Sequence, residues 1–112
     1  MTSKALVAAS TKPMILAILK KGENYGYRII QNVREISGGE IDWSEPMVYP
    51  VLKRMEREGL IESDWKITES GRLRKYYRLT PKGTEELEIE RKTWNLFHAA
   101  FRRILEMAEG AG

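Results

Sequence analysis

The sequence predicts a mainly α-helical fold with one small β-hairpin, and three observations predict it. Apolar residues recur at three- and four-residue steps over four separate stretches, the period of helices with one buried face. A fifth stretch, Leu60 to Leu79, instead alternates around the turn residues Thr68–Arg72, which is hairpin patterning. Length sets the scale, since 112 residues with 42% apolar side chains support one modest core and no second one.

Ser10 or Thr11 is placed to cap a first helix with Pro13 in its opening turn, where a missing N–H costs little. Met14, Ile15, Ile18 and Leu19 form its apolar stripe, Lys20-Lys21-Gly22 ends it, and residues 2–10 read as a separate helical arm. A second helix is expected from Asn24 to about Ser37, with Tyr27, Ile30, Val33 and Ile36 on one face, and Gly38-Gly39 breaks it. Ile41 and Trp43 make an extended piece. Ser44 is then a good N-cap for a third helix over 45–58, because Pro46 falls in the first turn and Glu45 suits the positive helix end. Val48, Val51, Leu52 and Met55 are its buried side, which leaves Glu45, Met47, Tyr49, Lys53, Arg54 and Arg57 for outer faces or edges. Strands over Leu60–Ile67 and Leu73–Leu79 follow, with Trp43 and Trp65 expected to be structural. Thr80 caps a last helix with Pro81 at its first position, and nothing breaks the chain until Gly110.

That last helix carries Leu87, Trp94, Phe101 and Ala108 seven apart, with Phe97 and Ile104 between them. At about 1.5 Å per residue it runs roughly 40 Å and overhangs a small domain. A second copy is the expected cover for such a seam, and a two-fold pair is the commonest arrangement. The predicted organisation is therefore a compact helical and hairpin unit over residues 1–80 and a dimerisation helix over 81–112.

Charge is uneven. Lys and Arg total 19 against 16 Asp and Glu, a net +3, but residues 1–83 hold 15 basic and 10 acidic side chains while 84–112 hold 4 and 6. Within 70–83, Arg72, Arg74, Lys75, Arg78 and Lys82 have no carboxylate beside them in sequence, which makes a local phosphate-seeking patch. Cysteine is absent, which excludes a disulfide framework, a thiol nucleophile and a thiolate metal cage. His98 is the only histidine, and there is no phosphate loop or spaced carboxylate dyad, so no catalytic residue, metal or cofactor is expected. No stretch approaches roughly 18 consecutive apolar residues, and the expectation is a cytoplasmic protein without a membrane partner.

The third helix and the basic hairpin point to duplex DNA. Ser44 and the helix N-terminus attract phosphate, Tyr49 and Lys53 lie one turn apart for the major groove, and Met47 and Arg54 flank them. Arg72, Arg74 and Lys75 are the candidate contacts to the backbone alongside. Tyr76 and Tyr77 fall on opposite faces of a strand, so one packs inward; Tyr77 is assigned to the DNA side. Two plainer readings stay open: a solvated helix face in which Lys53, Arg54 and Arg57 pair with Glu56 and Glu58, and a charged guard on an edge strand.

The segments Tyr25-Gly26-Tyr27, Tyr49-Pro50 with Leu52 through Ile61, and Gly71-Arg72 with Arg74 through Thr80 and Gly83 stand in an order and spacing that resemble the PadR family of bacterial and archaeal transcription regulators. The resemblance covers roughly 10–108, and the single last helix is similar to the shorter subfamily, which includes multidrug-binding repressors. It implies a winged helix-turn-helix, a homodimer and a double-stranded operator. In the multidrug-binding members a tryptophan at the place matching Trp94 faces its two-fold mate across a pore and stacks on flat aromatic drugs. The resemblance thus implies a planar aromatic effector at Trp94, with Phe97, Met14 and Ile15 as further lining, although Trp94 also lies in the seam and simple dimer packing accounts for it equally. Leu87, Trp94, Phe97, Phe101, Ile104 and Ala108 are the expected dimer interface. A winged-helix adaptor that binds another protein rather than DNA is the competing function, and salt-dependent binding to duplex separates the two.

Overall fold

A computed structural model of the chain describes residues 3–110, in the order α1 (Lys4–Lys20), β1 (Asn24–Tyr25), α2 (Gly26–Ile36), α3 (Glu45–Arg57), β2 (Ile61–Ile67), β3 (Leu73–Leu79) and α4 (Pro81–Gly110). The predicted arm and first helix are one helix. Ser3, rather than Ser10 or Thr11, caps it, its hydroxyl accepting from the Leu6 amide at 3.0 Å. Residue 2 of the predicted arm lies outside the described residues. Pro13 sits in the helix interior, where it forfeits the bond to the Ala9 carbonyl. The Ser10 and Thr11 hydroxyls, both buried, donate back to the Val7 carbonyl at 3.3 and 2.5 Å, so they are satisfied inside the helix instead of starting it.

The second helix starts two residues later than predicted, because Asn24 and Tyr25 pair with Tyr77 and Tyr76 of β3 as a short third strand. Its buried face is Gly26, Ile29, Ile30 and Val33, while Tyr27 is exposed and Ile36 is 78% exposed. Three-residue steps explain the difference: each falls about 60° short of a full turn, so a run of three carries the last residue to the far side of the helix.

α3 begins at Glu45 as predicted and buries Val48, Leu52 and Met55, with Val51 partly buried. Its end is closed by amides that reach back, Gly59 to the Glu56 carbonyl and Leu60 to the Met55 carbonyl, both at 3.0 Å. That double bond is the Schellman pattern, and the buried pair Met55 and Leu60 accompanies it. The turn delivers the chain directly into β2. β2 and β3 are antiparallel from Ile61 opposite Leu79 to Ile67 opposite Leu73, and the sheet order is β1-β3-β2.

Thr80 caps α4 as expected: its Oγ1 accepts from the Gly83 amide at 3.0 Å and donates to the Gly59 carbonyl at 2.5 Å. The helix can start there only because residue 83 is glycine, since a Cβ would meet the Leu60 carbonyl oxygen at 2.0 Å. One core takes Ile15, Leu16 and Leu19 from α1, Ile29, Ile30 and Val33 from α2, the α3 stripe, and Leu60, Ile61 and Tyr77 from the sheet. Trp43 joins it, with an Nε1–H that finds no partner among the described residues; Trp65 does not, being 63% exposed on β2, so only one of the two tryptophans is structural in the way expected.

Candidate nucleic-acid interface

α3 turns three faces to three surroundings. Val48, Leu52 and Met55 face the core; Met47, Val51 and Arg54 border a groove of about 410 Å³ shared with Lys4, Val7 and Lys12 of α1; Tyr49 and Lys53 are exposed, one turn apart. Met47 is half-buried and packs against the core, so of the predicted reading residues it and Arg54 lie around the helix from Tyr49 and Lys53. Ser44 occupies the N-cap with its carbonyl accepting from the Met47 and Val48 amides at 3.1 and 3.0 Å, while its hydroxyl makes no capping bond and is left available. Lys53, Arg54 and Arg57 form no ion pair among the described residues; Glu56, their expected neutraliser, is occupied by the Ser63 hydroxyl and by Lys75.

The basic hairpin is divided rather than uniform. Arg78 is clamped by Glu62 at 3.0 Å and Asp64 at 3.1 Å, Lys75 lies 3.5 Å from Glu56, and Lys66 pairs with Glu23. Carboxylates absent from 70–83 in sequence arrive across the strands and from α3, so the patch is less naked than its sequence. Hydrogen bonds to Asp64 and Glu62 hold the Arg78 guanidinium above its ordinary pKa. Arg72 and Arg74 have no carboxylate partner among the described residues.

Arg74 instead lies over two aromatic rings, 5.3 Å from the centroid of Tyr25 and 5.8 Å from that of Tyr27. Tyr25 also meets Tyr76 edge-on at 5.3 Å, opposite it across β1 and β3. Beside this cluster the Tyr49 phenol is pushed above its usual pKa by burial and by Glu45, with the Arg74 charge acting the other way. Tyr25 and Gly26 were visible in the sequence only as a family motif, and Tyr27 also as part of a helix face; the signal for their position was Asn24-Tyr25 as a strand, and two residues are too short to show alternation.

Tyr77 is removed from the DNA-facing set. It is 5% exposed, its phenol is raised by burial, and it forms part of the core, whereas Tyr76 is the one on the outer face. Parity explains the correction: Tyr77 shares a strand face with Leu79, whose partner Ile61 is buried.

Away from α3, α4 crosses α1, held by Lys12 at 2.8 Å from Glu86 and 3.8 Å from Glu90. The hydrogen bond to Glu86 raises the Lys12 pKa, with partial burial opposing it. Pro13, Met14, Ala17, Leu87 and Trp94 line a mostly apolar groove of about 360 Å³ between the two helices. Met14 and Trp94 thus come together as expected. Ile15 does not join them, because it is fully buried in the core, and Phe97 lies beyond the groove on exposed helix. Past residue 90 every described position of α4 is exposed, including Phe97 at 67%, Phe101 at 63%, Ile104 at 65%, and Ala108.

Three helices against a three-stranded sheet, with a hairpin projecting beside an exposed α3 face, define a winged helix-turn-helix. Residues 15–89 match the model of the PadR-like family of transcriptional regulators. A PadR family transcription regulator from Clostridium difficile is 36% identical and superposes with a TM-score of 0.76, over 86% of this chain and 98% of that one. A transcriptional regulator from Clostridium thermocellum is 27% identical with a TM-score of 0.82, over 92% and 97%. The negative transcriptional regulator PadR of Bacillus subtilis is 36% identical over 76 residues, which cover 68% of this chain and 42% of that protein. The chain belongs to the PadR-like family and is a DNA-binding transcriptional regulator. No helix among the described residues is long and apolar enough to cross a membrane.

Proposed function

We propose that the chain acts in the cytoplasm as a homodimeric, ligand-responsive repressor that binds a pseudo-palindromic operator and has no catalytic role. The observation that carries this reading is the outer half of α4, where Phe97, Phe101 and Ile104 are each about two-thirds exposed on one apolar seam. Water is a poor cover for such a seam, and a second copy supplies a matching one. In this reading residues 1–80 read DNA and 81–112 pair the protomers. A two-fold pair presents two α3 helices to successive major grooves, roughly 34–36 Å apart. Tyr49 and Lys53 then address base edges, while Ser44, Arg72, Arg74 and Lys75 meet phosphates.

The α1–α4 groove is the proposed effector site. Its apolar lining and Trp94 suit a planar aromatic molecule, and because α1 belongs to the reading unit while α4 carries the proposed dimer, a ligand between them alters the spacing of the two readers. Repression is supported by the Bacillus subtilis relative, which is named a negative regulator.

The test is capture of genomic fragments by the purified protein, followed by footprinting of the strongest site, with light scattering to give the size of the free species. The expected result is a dimer that protects two half-sites about one helical turn apart, with an affinity that falls as salt rises. The absence of salt-dependent binding to duplex would leave the protein-adaptor function instead.

A further inference from the structure

Gly26 is a glycine that its own backbone does not require. It opens α2 without the positive φ found at Gly22, Gly38, Gly39, Gly59 and Gly71, and alanine is the better helix former at such a position. What excludes a side chain is a ring from another helix: a Cβ at residue 26 would stand 2.7 Å from Cε1, 3.0 Å from Cζ and 3.0 Å from Oη of Tyr49. We infer that Gly26 is a specificity-determining position, which works by letting the Tyr49 ring rest against the first turn of α2 with its phenol held at the reading face. This rests on the operator-binding function proposed above.

The surroundings show what the seat organises. Tyr25 and Tyr27, on either side of Gly26, are the rings beneath Arg74, and the Arg74 charge reaches the Tyr49 phenol. One glycine thus gathers the exposed aromatic of α3, the Arg74 guanidinium of the wing and the start of α2 into a single surface. The roles divide by chemistry. A guanidinium on a phosphate carries no sequence information, whereas a phenol held in one place by its seat bonds only a base edge that presents a donor or acceptor at that place. A phenol is neutral at about pH 7 in any case, and burial pushes the Tyr49 pKa further up.

Gly26 and Gly83 make a useful contrast. At Gly83 the obstructing atom is a backbone carbonyl, so a side chain there displaces α4. At Gly26 all three nearest atoms belong to the far end of one side chain, so a methyl group turns the Tyr49 ring aside and leaves the helices where they are. Gly26→Ala is therefore a way to move one reading residue without deleting it.

The experiment uses the full chain and its footprinted operator, with a set of single-base-pair variants of that duplex and one non-specific duplex, all at constant salt. The parent, Gly26→Ala, Tyr49→Ala and the double variant are compared. Gly26→Ala is expected to keep its helical content and melting temperature, to bind the non-specific duplex within about twofold of the parent, and to lose about tenfold in discrimination at one or two base pairs. In the Tyr49→Ala background the same change is expected to do nothing more, since the ring it displaces is gone. Unchanged discrimination in Gly26→Ala, an equal loss with and without the ring, or a cooperative loss of folding would each overturn the inference. A parent that discriminates no operator refutes the DNA-reading function itself, and that failure is read on the parent alone.

Discussion

α3 and the outer half of α4 are both helices with an apolar stripe, and they treat it in opposite ways. α3 buries Val48, Leu52 and Met55 to within 1% of completeness under its own chain, whereas α4 leaves Phe97, Phe101 and Ile104 more than 60% exposed. Periodicity states that a face is to be covered. It does not state by what. For α3 the cover is the rest of the same molecule, so its stripe stabilises the fold at any concentration; for α4, in the dimer proposed above, it comes from a second copy, so there the stripe stabilises an assembly, and only when protein is abundant.

The sharpest way to break that comparison is Phe101→Glu. A charge placed without a partner in a dimer seam costs about 3–5 kcal/mol, or roughly 10²–10⁴-fold in dissociation constant. Light scattering at micromolar concentration is expected to report a monomer with its winged helix-turn-helix intact, and a dimer unaffected by this substitution would mean that the seam is not the interface. Leu52→Ala probes the other helix: truncating a fully buried leucine is expected to lower stability by about 2–5 kcal/mol, read by denaturant titration with no dependence on protein concentration in the loss.

A smaller effect concerns the groove where α4 meets α1. Planar cationic dyes are expected to quench Trp94 fluorescence at about one dye per dimer, and Trp94→Ala to weaken that binding by about tenfold, since stacking and cation–π contact together contribute on the order of 1–2 kcal/mol. Replacing Trp43 and Trp65 with Phe isolates the signal. Dye affinity that survives Trp94→Ala would sink the effector site and leave the DNA-reading surface standing. The smallest difference lies within the wing. Arg74→Ala is expected to reduce the salt slope of duplex binding by about one phosphate contact, while Lys75→Ala, whose ammonium already faces Glu56, is expected to change it less. Equal effects would show that the Glu56 pairing is given up on DNA.

Most of the helical framework was legible before the structure, because α3 and α4 advertise themselves by period and by capping residues, Ser44 and Thr80. The candidate site was legible in part. Tyr49, Lys53, Arg72 and Arg74 are accessible as expected, but Tyr77 was assigned to the wrong face when parity with Leu79 would have placed it inward. The first helix is expected to start at Ser10 or Thr11 because Pro13 reads locally as a first-turn proline, whereas in the structure both hydroxyls bond back to the Val7 carbonyl and the helix runs unbroken from Lys4.

By itself, the sequence determined what depends on neighbours along the chain: the helix periods, the hairpin alternation, the Thr80 cap, the absence of thiol chemistry and the motif order that marks the family. Tertiary structure alone decided what depends on residues far apart. Glu56, Glu62 and Asp64 neutralise Lys75 and Arg78, Arg74 settles on Tyr25 and Tyr27, and Tyr49 comes to rest on Gly26, twenty-three positions earlier in the chain. The reason is physical: ion pairs, ring contacts and steric exclusion act over a few ångströms of space, and a linear pattern carries no record of which distant residues the fold will bring within that range.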